Sequence, residues 1–83
     1  MIFYAEVKVM PLKELLDPQG KAVMDGLRNL EIKNIDDVRI GKHINLQIEA
    51  STKEDALLIA REAAKKLLAN PVMEEFTVSI TST

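Results

Sequence analysis

The sequence predicts an α+β domain of order β-α-β-β-α-β, with a four-stranded antiparallel sheet and two helices on one face. Three observations carry that expectation. Apolar and polar residues alternate from Phe3 to Val9, again through Ile44, Leu46 and Ile48, and again through Phe76, Val78 and Ile80. Two segments, beginning at Pro18 and Thr52, place apolar residues at helical spacing behind good caps. The two halves also echo one another, since Ile35-Asp36-Asp37-Val38 matches Met73-Glu74-Glu75-Phe76 as an acidic lead into an alternating strand. Alternation marks a half-buried strand, and recurrence every three to four residues marks an amphipathic helix.

In the first strand Phe3, Ala5, Val7 and Val9 share one face, and Tyr4, Glu6 and Lys8 the other. Pro11 ends it, and a leucine-rich connection through Leu16 is expected to pack against the body of the domain. Asp17 is a good N-cap and Pro18 a good first helical residue, because proline lacks only an N–H that would be unpaired there. The helix is expected to reach Leu30, with Val23, Leu27 and Leu30 turned inward and Met24 beside them. Gly26 lies within it at a cost of roughly 1 kcal/mol relative to alanine, which points to close approach of another backbone.

From Asp37 the alternation returns through Val38 and Ile40. Gly41-Lys42 then reads as a tight hairpin turn, with glycine accepting a positive φ, into a strand whose polar face is His43, Asn45, Gln47 and Glu49. Ser51 with Glu54 forms a capping-box pattern. The helix from Thr52 to Leu68 carries a broad stripe of mostly small residues, among them Ala56, Ala60, Ala63 and Ala64, which lets it lie close to a sheet. Asn70-Pro71 stops it, since proline can neither donate the next helical bond nor leave its predecessor in helical geometry. A last strand through Phe76, Val78 and Ile80 precedes Thr81-Ser82-Thr83, read as a frayed tail. This repeated unit is the ferredoxin-like, split β-α-β arrangement, whose first and third strands would be central.

At 83 residues, 1–83 form one domain with limited capacity for burial. There is no cysteine to staple it and no ligand cluster for a structural metal, so a homo-oligomer is expected. A net charge of −2, with 11 basic residues dispersed among 13 acidic ones, argues against nucleic acid as a partner. The polar sheet face offers only Tyr4 as an aromatic, too few for an RNA-recognition sheet. No run is long enough to span a membrane and the N-terminus does not resemble a signal peptide, so the expected location is cytoplasmic.

Candidate chemistry is sparse. His43 is the single histidine and has no neighbouring ligand residue, which is weak support for catalysis or metal binding. Asp36-Asp37 and Glu74-Glu75 point successive side chains to opposite faces and read as solvated strand ends. Ser51 and Thr52 are caps, with no base to activate them. For Asp17-Pro18-Gln19-Gly20, capping is favoured over an anion held at the helix start, and no glycine-rich nucleotide loop occurs. Gly41 is best explained by the turn. Arg39 and Lys42 are left as an exposed basic pair able to grip an acidic partner or phosphate.

Leu16-Asp17-Pro18-Gln19-Gly20, Val38-Arg39-Ile40-Gly41-Lys42 and Leu67-Leu68-Ala69-Asn70-Pro71-Val72, in this order and spacing, resemble the PurS family. That family is the small non-catalytic subunit of phosphoribosylformylglycinamidine synthase, and the resemblance runs from Tyr4 to Ile80. It implies a subunit of a ligase complex of purine biosynthesis, without catalytic residues or a cofactor of its own. A PurL-type synthetase using ATP and Mg and a PurQ-type glutaminase supplying ammonia would be the partners. Homodimers, in some members paired into tetramers, are implied as well. The matched positions are Asp17, Pro18, Gln19, Gly20, Arg39, Gly41, Lys42, Asn70 and Pro71; Arg39 and Lys42 are assigned to partner contact and the others to loop shape. One departure is Lys13-Glu14, where the family often carries Pro-Gly. The same layout also suits a homodimeric ACT-type small-molecule sensor, and an acylphosphatase-like hydrolase lacks a convincing arginine loop here.

Overall fold

The computed structural model describes residues 1–81. Alternation produces three strands, β1 (Ile2–Pro11), β2 (Lys42–Glu49) and β3 (Glu74–Thr81), in an antiparallel sheet of order β2-β1-β3. The register sets Val7 opposite both Ile44 and Val78, and Ala5 opposite both Leu46 and Ile80, so the apolar residues of all three strands share one face. On the other face Tyr4, Glu6 and Lys8 lie opposite Gln47, Asn45 and His43 on one side and Thr81, Ser79 and Thr77 on the other.

Helix α2 (Lys53–Ala63) covers the apolar face. Its Ala56 and Ala60, with Ala64 just beyond, are fully buried, and Phe3, Ala5, Val7 and Val9 meet them from β1. Alanine on the helix lets the two backbones approach, but it also makes the core thin. The largest fully buried side chains are Val7 and Val9, each contributing about 2 kcal/mol. Thr52, not Ser51, is the N-cap, its side chain accepting from Asp55 N at 3.1 Å. Beyond Ala63 the helix widens into a π-helical turn, Ala64–Leu68, closed by Ala69 N donating to Ala64 O at 2.9 Å. Thr81 is the last residue of β3, whereas Ser82 and Thr83 lie outside the described residues.

Among the described residues the sheet has three strands, and the fourth expected at Val38–Ile40 is not formed. Two of that segment's N–H groups go to carboxylates instead of a ladder: Val38 N donates to its neighbour Asp37 Oδ1 at 2.9 Å, and Ile40 N to Asp17 Oδ2 at 2.9 Å. The expected hairpin is therefore absent, and β2 lies at an edge instead of the centre. No glycine has a positive φ. Gly41 is needed for another reason, because a Cβ there would collide with Val9 O and Met10 Sδ.

The larger departure concerns α1 (Pro18–Asn29). It forms as the sequence predicts, but it makes no substantial contact with the sheet or α2, so the two helices do not share one face within the chain. Val23 is 43% and Leu30 71% exposed, and nothing lies within 4 Å of the Cβ position of Gly26. The leucine-rich connection is equally open, with Leu16 80% exposed. As a result the chain is long and flat, 50 × 28 × 14 Å, with a radius of gyration of 16.2 Å. A compact chain of this length would have about 12 Å. Helix α1 ends in a Schellman motif in which Glu31 N donates to Arg28 O and Ile32 N to Leu27 O, with Glu31 itself at φ 65°.

Candidate partner-binding site

The residues singled out in the sequence converge on one end of the sheet, where β1 finishes and β2 and β3 begin. Asp17 organises the first junction. Its Oδ1 accepts from Gly20 N at 3.0 Å, capping α1, while its Oδ2 accepts from Ile40 N at 2.9 Å and lies 3.7 Å from Arg39 Nε. One carboxylate thus joins the start of α1 to the segment before β2. The N–H groups of Ile40 and Gly20, and then the Arg39 guanidinium, hold its pKa below the ordinary value of 3.8. Gly20 is buried beneath this junction, and a Cβ on it would strike the Val38 carbonyl.

Arg39 turns inward. Its Nη2 donates to the carbonyls of Pro11 and Leu12, both at 2.8 Å, and Nη1 reaches Lys13 O at 3.5 Å. The planar guanidinium suits this fork of acceptors, which a lysine could not match. Its Nε is buried without a hydrogen bond, facing Asp17 beyond bonding distance. Arg39 therefore fastens the chain as it leaves β1, and a shallow depression of about 290 Å³ remains beside it, lined by Lys13, Leu16, Lys21 and Asp37 among others.

Lys42 belongs to the second junction. Its Nζ lies 3.8 Å from Glu74 Oε2, and its side chain is 58% exposed, leaving the ammonium available to solvent. Glu74 Oε1 accepts from Asn70 N at 2.7 Å, Asn70 Oδ1 from Val72 N at 3.0 Å, and Asn70 O from both Met73 N and Glu74 N. The Asn70-Pro71 turn is thereby closed on itself and linked to Lys42. Leu12 N donates to Met73 O at 2.9 Å, which ties the Arg39-held connection to the same turn.

Asp17, Gly20, Arg39, Gly41, Lys42 and Asn70 are thus brought together, whereas Pro18 and Gln19 sit exposed at the outer start of α1 and Pro71 is exposed on its turn. Sequence reasoning missed Glu74. It is a partly buried anchor rather than a solvated strand end, and its four-residue spacing from Asn70 across a proline turn was the available signal. Asp36, Asp37 and Glu75 are exposed as expected. His43 follows Lys42 directly in β2 but turns its side chain to the polar sheet face, its Nε2 3.9 Å from Glu6 Oε2. Among the described residues no group of three or more His, Cys, Asp or Glu side chains is placed to hold a metal ion, and no helix is long and apolar enough to cross a membrane. The arrangement offers a rigid, charged loop cluster and no nucleophile with a base.

Comparison with known proteins gives this cluster a context. The family model described as PurS: Phosphoribosylformylglycinamidine (FGAM) synthase matches residues 4–82. The phosphoribosylformylglycinamidine synthase subunit PurS of Bacillus subtilis is 43% identical over 77 residues, covering 90% of each chain. Its counterpart from Thermotoga maritima is 35% identical over 77 residues, covering 93% of this chain and 94% of its own. Among solved structures, a chain in the structure of PurLQS from Thermotoga maritima superposes with a TM-score of 0.90 at 33% identity, covering 98% of this chain and 99% of that one.

Proposed function

The chain belongs to the PurS family of phosphoribosylformylglycinamidine synthase subunits, and from that premise we propose that it joins a PurQ-type glutaminase to a PurL-type synthetase in the cytoplasm. It supplies no catalytic group. Glutamine hydrolysis belongs to the glutaminase, and amidation with ATP and Mg to the synthetase; this chain holds the two in register so that ammonia passes with little loss to bulk water.

The observation that carries the reading is the loop cluster at one end of the sheet. Three sequence-distant motifs are cross-fastened there by Asp17, Arg39 and Glu74 into one stiff surface. A stiff surface loses little conformational entropy on docking, which favours a scaffold over a mobile loop. Lys42 contacts a partner directly. Arg39 contributes through the guanidinium edge left at the surface and through the loop it positions.

A homodimer is part of the proposal, because the thin core and the detached α1 leave a single chain with little burial. On this reading the two-helix ferredoxin-like layer is completed in the dimer, not in one chain.

The test is glutamine-dependent amidine synthesis by matching synthetase and glutaminase, with and without this chain, alongside light scattering of the mixture. Activity and a ternary complex that both need the chain are expected. Lys42→Glu should weaken assembly at least tenfold while the isolated subunit stays folded by circular dichroism. Full activity and assembly without the chain would overturn the scaffold role.

A further inference from the structure

Helix α2, its π-helical extension and β3 border an open groove of about 820 Å³, lined by Leu58, Arg61, Glu62, Lys65, Lys66 and Phe76. Three of those six side chains are cations and one is an anion, on a chain whose net charge is −2. Lys66 is answered by Glu62, with Nζ 2.6 Å from Oε1. Arg61 and Lys65 are not, since neither forms an ion pair among the described residues. They stand four residues apart, where like charges on a helix repel and lower its stability. The helix dipole favours cations near the C-terminal end, but it does not select the side of the helix they occupy. Here they gather on the groove side, around Phe76 and around Leu58, which is 64% exposed. Repulsion left in place beside uncovered apolar surface points to an occupant that neutralises the one and covers the other. The groove also continues into the loop cluster. Lys65 and Phe76 line a second depression, of about 340 Å³, together with Ala69, Pro71 and Glu74, and Glu74 is the residue that holds Asn70 and faces Lys42.

We propose that this groove is the docking seat for an acidic segment of a partner subunit, whose carboxylates meet Arg61 and Lys65 and whose apolar side chain covers Leu58 and Phe76. The inference rests on the scaffold reading above and extends its surface along α2. Spacing sets what fits. Four residues of helix rise about 6 Å, so the segment carries carboxylates about that far apart, as on successive turns of a helix, with an apolar residue on the same side. The Arg61 guanidinium suits a carboxylate in particular, because its parallel N–H groups match the two oxygens. Nucleic acid fits poorly, since the cationic strip is short, includes Glu62 and belongs to an acidic chain.

The test uses the full chain with matching synthetase and glutaminase. Arg61→Glu and Lys65→Glu are each compared with Lys53→Glu, which makes the same change of charge at the exposed start of α2. Each groove variant replaces a like-charged pair on the helix with an opposite one, so helix content by circular dichroism should be retained. Titration followed by light scattering is expected to give a dissociation constant raised about tenfold or more for either groove variant, with a weaker dependence on salt, while Lys53→Glu matches the parent. If the parent assembles and the groove variants behave like Lys53→Glu, the proposal is overturned and the scaffold reading stands. A groove variant that alters the oligomeric state of the isolated chain, and not its binding to partners, also overturns it by assigning the groove to a second copy. ATP binding by the isolated chain that Arg61→Glu abolishes overturns it as well, since the groove then takes a small anion. Failure of the parent chain to assemble strikes the scaffold reading, and the groove proposal falls with it.

Discussion

Asp17 and Arg39 hold the same joint from two sides. The Asp17 carboxylate accepts from the backbone of α1 and of Ile40, the Arg39 guanidinium donates to the carbonyls that end β1, and the two side chains lie 3.7 Å apart. Between them they fix the exit of β1, the start of α1 and the approach to β2. Neither charge is free to serve only as a surface lure.

Arg39→Lys separates charge from fork. It keeps the cation but cannot reach the Pro11 and Leu12 carbonyls together, so a loss of about 2 kcal/mol is expected, measured by urea unfolding. Partner binding should fall in step with the loosened loop. If Arg39→Lys binds partners as tightly as the parent chain, the contribution of Arg39 is its charge alone.

Acid should loosen the same joint. The folded pKa of Asp17 lies below its ordinary 3.8, so between the two values the unfolded chain binds more protons. The stabilisation is complete above the unfolded pKa and is lost as pH falls through the folded one. Thermal unfolding of the parent chain and of Asp17→Asn should therefore differ by the full amount well above pH 3.8 and converge as pH falls through the lowered folded value. A gap that widens on acidification contradicts the assignment.

The three glycines should respond unequally to alanine. Gly20→Ala and Gly41→Ala force a Cβ onto the backbone carbonyls of Val38 and Val9 respectively, at an expected cost of about 1–3 kcal/mol each. Gly26→Ala meets no atom of its own chain and should stabilise the isolated chain by about 1 kcal/mol. Denaturant midpoints at concentrations low enough to keep the chain monomeric provide the comparison, and equal effects at all three sites would contradict it.

Glu31 closes α1 at φ 65°, a conformation that costs a residue with a Cβ about 1 kcal/mol. Glu31→Gly should recover up to that amount without altering the Schellman bonds, read as a raised melting temperature with unchanged helix content.

Much of this was legible in the chain. The alternation at Phe3–Val9 gave β1, Asp17-Pro18 gave the start of α1, and the alanine stripe gave α2 and its close seat on the sheet. What failed has common causes. Val38–Ile40 alternates like a strand, yet two of its backbone donors are taken by carboxylates, one of them far away in sequence, and alternation does not register such competition. Ser51 and Thr52 are adjacent hydroxyls, and the cap falls to the one whose extended backbone leads directly into the first turn. Periodicity likewise placed Val23, Leu27 and Leu30 inward, but Val23 and Leu30 are exposed, because a helical stripe names no surface to which it belongs. The matched motifs were visible as three separate loops; their fastening through Glu74 and Arg39 depends on contacts between residues distant in sequence.

The π-helical turn at Ala64–Leu68 makes the length of α2 adjustable. Its extra residue is absorbed as a widened loop of backbone, so that Ala64 and Ala69 both return to the core. Removing one residue from the exposed Lys65-Lys66 pair would let that turn relax to an ordinary α-helical one, with Asn70-Pro71 delivered to the same place. Deletion of one of these lysines is thus expected to leave the fold in register on either side, read as an unchanged denaturant midpoint.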